Sequence, residues 1–217
     1  MSKDLEFLKL EKDVWGKVYV DISYGIDNVA PFLNENTLKV RKYYGKVDVL
    51  KKYITLLENS DAECKKNASS FFGRFKENNS IFLISSYKND NILQFNQLKN
   101  CSKCACLNCP KDCNFNSCRG CREDSFIKKC DHEKINMTVH DNFILNLTNN
   151  STGRPSSYKV LATLQDSELQ RLYIIIENSI DKEDKFVLYY YPGISEDDYG
   201  EISDAEEFDF IVETFGV

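Results

Sequence analysis

The chain has 217 residues and a net charge of −6, with 42% hydrophobic and 29% charged residues, including 14 Phe and 12 Tyr. That is enough apolar material for one large domain or two small ones, and too much for a disordered chain. Nine Gly and four Pro exclude a collagen-like or low-complexity sequence.

No stretch approaches 18 uninterrupted apolar residues, so no membrane partner is expected. The first fifteen residues mix acids and bases and lack the apolar run of a signal peptide. The expected localisation is cytoplasmic, where thiols stay reduced and clustered cysteines mean metal or catalysis. Charge is unevenly placed. Residues 1–100 carry 16 bases and 13 acids, residues 101–135 carry 7 and 5, and residues 136–217 carry 5 and 16, giving +3, +2 and −11. The last third repels phosphates, so any nucleic-acid contact is expected through residues 1–135.

Residues 1–98 read as an N-terminal α+β domain. Residues 15–24 are β-branched and aromatic and predict a strand, which residues 25–31, from Gly25 to Pro31, would break. Over residues 37–58, Tyr43, Val47, Leu50, Ile54 and Leu57 recur at three and four, the spacing of one helix face. Ser60 and Glu63 form a capping-box pattern for a second helix docked by Phe71, Phe72 and Phe75, and residues 81–87 read as a buried strand. Lys39, Arg41, Lys42, Lys46, Lys51 and Lys52 predict a solvated polar face, with phosphate binding as the alternative. Cys64, alone in the second helix, reads as a buried small hydrophobe.

Residues 99–135 hold eight of the nine cysteines and only five large apolar residues, Leu107, Phe115, Phe126, Ile127 and Ile135. That predicts a cysteine-rich zinc-binding module, ordered by coordination rather than by a core. The candidate ligands are Cys101, Cys104, Cys106, Cys109, Cys113, Cys118, Cys121, Cys130 and His132. Three C-x2-C pairs within 21 residues let thiolates converge on an ion at about 2.3 Å. Nine candidates suffice for two tetrahedral zinc ions. One pairing joins Cys101, Cys104, Cys118 and Cys121, leaving Cys106, Cys109, Cys113 and either Cys130 or His132. Sequential and sulfur-bridged arrangements fit the spacing equally well. Lys103, Lys111, Arg119, Arg122, Lys128 and Lys129 would offset the thiolate charge. An iron–sulfur cluster is the main rival, since Cys109-Pro110 ends a run of four cysteines, although the 2-1-2 spacing differs from the ferredoxin run. Disulfides are the third reading. His140 reads as an exposed or hydrogen-bonded residue rather than a ligand.

Residues 136–217 read as an acidic antiparallel-sheet domain with a C-terminal helix. Strands are expected at 143–147, 158–163, 171–177 and 185–191, separated by turn-forming residues. Ser203 would cap the last helix, with Glu206 as its partner and Phe208, Ile211, Val212 and Phe215 as the face that covers the sheet. Asp204, Glu206 and Glu207 lie in its first turn, where the helix dipole favours acids. The element order, the acidic linker 196–201 and the ending 202–215, with its I-x-D-x-E-E-F pattern, resemble a family of short acidic domains of Firmicute bacteria that has no established function. The resemblance covers residues 141–216 and implies a small α+β fold, but no catalytic residues. The loop 149–156 departs from that family's tight acidic turn.

The expected fold class is therefore α+β, two small α+β domains (1–98 and 136–217) linked by a zinc module (99–135). No P-loop, G-x-G-x-x-G or G-x-S-x-G motif occurs, and a surplus of thiolates over His is the pattern of structural rather than catalytic zinc. The leading expectation is a non-enzymatic, zinc-stabilised protein-interaction or regulatory protein. The alternatives are a nucleic-acid-binding regulator using the basic helix and zinc module, a mobile-element inhibitor acting by nucleic-acid mimicry, and an iron–sulfur redox protein.

Overall fold

Leu8, Trp15, Val18, Ile22 and Val29 are spaced by threes, fours and sevens, and all five are buried on one face of a single long helix, α1 (Lys3–Val29). The computed structural model describes residues 3–69, 79–111, 115, 124–148, 153 and 155–216. Within them the chain divides into two compact units, Met1–Ser102 and Lys103–Val217.

The first unit continues with α2 (Glu35–Val40), α3 (Val47–Ser69), α4 (Asn79–Asp90) and α5 (Ile92–Lys103). Its described residues contain no strand, which corrects the expectation of an α+β domain here. Residues 15–24 continue α1, and Gly25 is buried inside the helix instead of breaking it. The β-branched residues follow the burial period of three and four, and that tertiary demand overrides their local preference. Residues 81–87 lie in α4, where Ile84 is buried while Phe82 and Leu83 are exposed. A lone strand among helices would leave its backbone groups unpaired, whereas a helix satisfies them internally.

The helix expected over 37–58 is split. Asn34 caps α2 by accepting from the Thr37 N–H at 2.9 Å. A turn then leads into α3, which buries Leu50, Tyr53 and Leu57. α3 runs through residues 60–63, so Ser60 is buried in mid-helix rather than capping a new one. Cys64 is buried as expected, and Phe71, Phe72 and Phe75 lie outside the described residues. α1, α3 and α5 meet at an aromatic knot, where Phe95 packs edge-on to Trp15 at 4.7 Å and to Tyr53 at 4.9 Å. Beside it, the Glu11 carboxylate accepts from the Tyr53 hydroxyl and from Lys88 Nζ at 2.8 Å.

The second unit is a seven-stranded antiparallel sheet with one helix. The strands are β1 (Ser125–Cys130), β2 (Ile135–His140), β3 (Ile144–Thr148), β4 (Pro155–Asp166), β5 (Arg171–Asn178), β6 (Lys185–Tyr191) and β7 (Asp198–Glu201), followed by α6 (Ala205–Phe215). The order is β1-β2-β4-β5-β6-β7, and β3 also pairs with β4. β4 is long enough to take both neighbours on one edge, β3 along residues 155–159 and β2 along residues 162–166. β1 and the start of β2 come from the segment read as the cysteine module, and β7 comes from the acidic linker. On one face Met137, Ala162, Leu164, Tyr173 and Ile175 pack with Ile211 of α6. On the other, Val160, Ile174 and Ile176 pack with Leu145, Tyr158, Leu188, Tyr190 and Tyr199. The cap of α6 is Asp204, not Ser203, accepting from the Glu206 and Glu207 N–H groups. Gly216 closes the helix at φ 80°.

The β6–β7 loop folds so tightly that a Cβ on Gly193 would lie 1.8 Å from the Glu196 carbonyl oxygen. The Gly193 N–H donates to Asp197 Oδ1 at 3.1 Å, holding the loop shut. Gly193→Ala is expected to destabilise this unit by about 1–3 kcal/mol in urea unfolding. An unchanged midpoint would mean that the loop yields without cost.

Candidate metal centre

Residues 104–109 form a wound loop rather than an extended linker. The Leu107 N–H donates to the Cys104 carbonyl at 3.0 Å and the Cys109 N–H to the Cys106 carbonyl at 3.2 Å. The Ala105 N–H donates to the Ile127 carbonyl of β1 at 2.8 Å, which stitches the loop to the sheet. Leu107 and Cys109 are buried, while Cys104 and Cys106 are half-buried.

β1 ends at Cys130, and the chain reverses through residues 131–134 into β2. Asp131 builds that reversal, because its Oδ1 accepts from the N–H groups of Glu133, Lys134 and Ile135 at 3.0, 2.8 and 2.8 Å. Burial opposes the charge on Asp131, but these bonds outweigh it and hold the carboxyl below its ordinary range. His132 sits in the reversal at φ 70°, in the left-handed region that non-glycine residues rarely adopt.

That conformation carries the imidazole between two sulfurs. His132 Nδ1 lies 3.4 Å from Cys109 Sγ and 3.8 Å from Cys130 Sγ. The His132 backbone N–H donates to Cys130 Sγ at 3.4 Å. Ligand atoms of a tetrahedral zinc, bonded at about 2.3 Å through sulfur and about 2.0–2.1 Å through nitrogen, stand about 3.5–3.8 Å apart. The two sulfur–nitrogen distances lie on either side of the about 3.6 Å that those bond lengths give for sulfur and nitrogen. An amide N–H to a sulfur is the outer contact that steadies a thiolate ligand.

Cys113, Cys118 and Cys121 lie outside the described residues. Among the described residues, no three or more Cys, His, Asp or Glu side chains come together in a group that could hold a metal ion. Cys101 is buried in the last turn of α5 and receives Gln97 Nε2 at 3.4 Å. His140 is buried in β2, with Nε2 3.0 Å from Thr163 Oγ1 and its ring against Phe143, which makes it a hydrogen-bonded sheet residue.

The bases expected to offset thiolate charge are partly engaged elsewhere. Lys128 and Lys129 reach the Phe215 and Thr214 carbonyls at the C-terminus of α6, where the helix dipole favours cations. Lys103 lies over the Phe126 ring at 5.7 Å. In the first unit Arg41 is buried and donates to the Tyr43 hydroxyl at 3.2 Å, so it leaves the expected basic face. Lys39 pairs with Glu35 at 2.7 Å.

Sequence reasoning missed Asp131, whose role depends on a reversal between two unforeseen strands. It also missed the anchor of α6, where Glu207 accepts from Arg171, Tyr173 and Tyr189. No described helix is long and apolar enough to cross a membrane. No family model, no curated protein and no solved structure matches the chain.

Proposed function

We propose that this is a non-enzymatic interaction protein whose cysteine-rich segment is ordered by structural zinc. The observation that carries the reading is the placement of His132 Nδ1 at 3.4 and 3.8 Å from the sulfurs of Cys109 and Cys130. In this reading those three side chains would supply part of one tetrahedral set once the segment closes on the ion. Cys113, one of the expected companions of Cys109, is the natural fourth donor. Cys104, Cys106 and the remaining cysteines would serve a second ion. Zinc there would bind loop 104–109 to the end of β1 and act on folding rather than on a substrate.

The partner surface in this reading is the acidic edge of the sheet unit. Glu196, Asp198, Glu201, Asp204, Glu206 and Asp209 are exposed, with exposed Ile194, Phe208 and Phe210 among them. Acids around apolar side chains suit a protein with a basic surface and repel nucleic acid.

Elemental analysis of the purified chain tests the metal. Zinc at one to two ions per chain is expected, on the coordination chemistry of eight thiols and one imidazole. Iron with visible absorbance would replace this reading with the iron–sulfur one. Fluorescence anisotropy against DNA and RNA at two salt concentrations tests the partner class. No salt-dependent binding is expected, whereas binding that weakens steeply with salt would favour the nucleic-acid regulator.

A further inference from the structure

A helix packed on one side normally turns a polar face to water. α1 does so with Asp13, Lys17 and Asp21, but interleaves them with Leu10, Val14, Val20 and Tyr24, which are 61%, 48%, 62% and 64% exposed. Leu10, Val20 and Tyr24 lie opposite Trp15, Val18 and Ile22, and Val14 lies nearer the border of the buried face. Relative to Lys17 they stand at positions −7, −3, +3 and +7, and Asp13 and Asp21 stand at −4 and +4. The order apolar, acid, apolar, base, apolar, acid, apolar is the same read from either end.

A face with that symmetry complements a copy of itself turned end for end. With a two-fold axis at Lys17, Leu10 meets Tyr24 of the second copy, and Val14 and Val20 of the second copy flank the seam at the same height. At the axis the two Lys17 side chains face each other, their charge offset by Asp13 and Asp21 of both copies, and each Lys17 already pairs with its own Asp21 at 3.1 Å. Lys9 and Asp27, both exposed, lie along one flank of this face. Antiparallel docking sets Lys9 beside Asp27 of the other copy. Parallel docking would put this flank of the two copies on opposite sides of the seam and form no Lys9–Asp27 pair, so charge favours the antiparallel pairing.

We propose that the outer face of α1 pairs two copies of this chain as an antiparallel helix dimer. The inference is independent of the zinc reading. From Leu10 to Tyr24 the contact runs about 21 Å along the helix. One helix face buries less than the about 800 Å² per partner of a standard interface, so a dissociation constant in the micromolar range is expected.

Sedimentation equilibrium of the full chain from about 1 to about 300 µM tests this, the range in which a micromolar dimer forms. A concentration-dependent rise to twice the chain mass is expected. Val14→Glu should leave the circular dichroism unchanged and abolish the rise. Lys9→Glu and Asp27→Lys should each weaken association about five- to tenfold, and the double reversal should restore it, because both flanking pairs are re-formed with opposite sign. A chain that stays monomeric throughout overturns the proposal, even if it captures a helix of some other protein. So does a dimer that tolerates Val14→Glu, or a double reversal weaker than either single one.

Discussion

Replacing Cys109 with Ser is expected to remove one metal ion per chain and to destabilise the unit Lys103–Val217 by more than about 3 kcal/mol, since structural zinc contributes about 10–16 kcal/mol of binding energy to the folded state. Cys130→Ser and His132→Ala should remove the same ion, because Cys109 Sγ and Cys130 Sγ both face one imidazole nitrogen. Pairwise combinations should therefore cost no more metal than the single changes. The damage has a predictable route. Cys130 ends β1, and the Ala105 N–H reaches the same strand at the Ile127 carbonyl. Loss of the ion releases both ends of that link, so hydrogen-exchange protection should fall first in β1, while α1, α3 and α4 keep theirs. His140→Ala is the control: its ring bonds Thr163, and metal content should not change. Elemental analysis and exchange mass spectrometry read the outcome. Three variants that all keep full zinc would refute the shared site.

What was legible in the sequence had a short period or a fixed spacing. The strands near 158–163, 171–177 and 185–191 show runs of Val, Ile and Tyr, and they correspond to β4, β5 and β6. The spacing of the eight clustered cysteines is the ground for proposing metal there. Grouping Cys109 with Cys130 or His132 was one of several pairings the spacing left open, and the approach of His132 to both sulfurs depends on β1 returning past the loop 104–109. β1 itself was hidden, since residues 125–130 mix Phe126 and Ile127 with two lysines and a cysteine, and those lysines serve the C-terminus of α6. In α1 the error was one of window length. Ten residues around Val18, Val20 and Ile22 look like a strand, whereas the spacing from Leu8 to Val29 is helical. Glu207 read as one of three acids in a first turn, and only the tertiary fold distinguishes it from Glu206.

That distinction leads to the second large effect. The Glu207 side chain is 10% exposed and accepts from Arg171 Nη1 at 2.6 and 2.7 Å, from the Tyr189 hydroxyl at 2.6 Å and from the Tyr173 hydroxyl. Burial alone would raise its pKa. The tyrosine and arginine hydrogen bonds and the Arg171 charge outweigh burial and place it below the ordinary value. A carboxylate with a depressed folded-state pKa stabilises the protein above its unfolded pKa, and that contribution is lost as pH falls through the folded value. Glu207→Gln should therefore cost about 2–3 kcal/mol at pH 7, the range for a buried charge-assisted cluster. It should cost progressively less as pH drops below the ordinary carboxylate range, because the wild-type group is then neutral as well. Arg171→Ala should cost less than Glu207→Gln, since both tyrosines still solvate the carboxylate. Metal content should be unaffected by either change. Glu207 holds the first turn of α6 to β5 and β6, whereas Lys128 and Lys129 of β1 hold its last carbonyls, so the helix spans from the acidic edge to the strand that carries Cys130. Urea unfolding of wild type and Glu207→Gln at pH 7 and pH 4 decides the matter. Two stability curves running parallel across that range would show that Glu207 carries no linked proton and anchors α6 by packing alone.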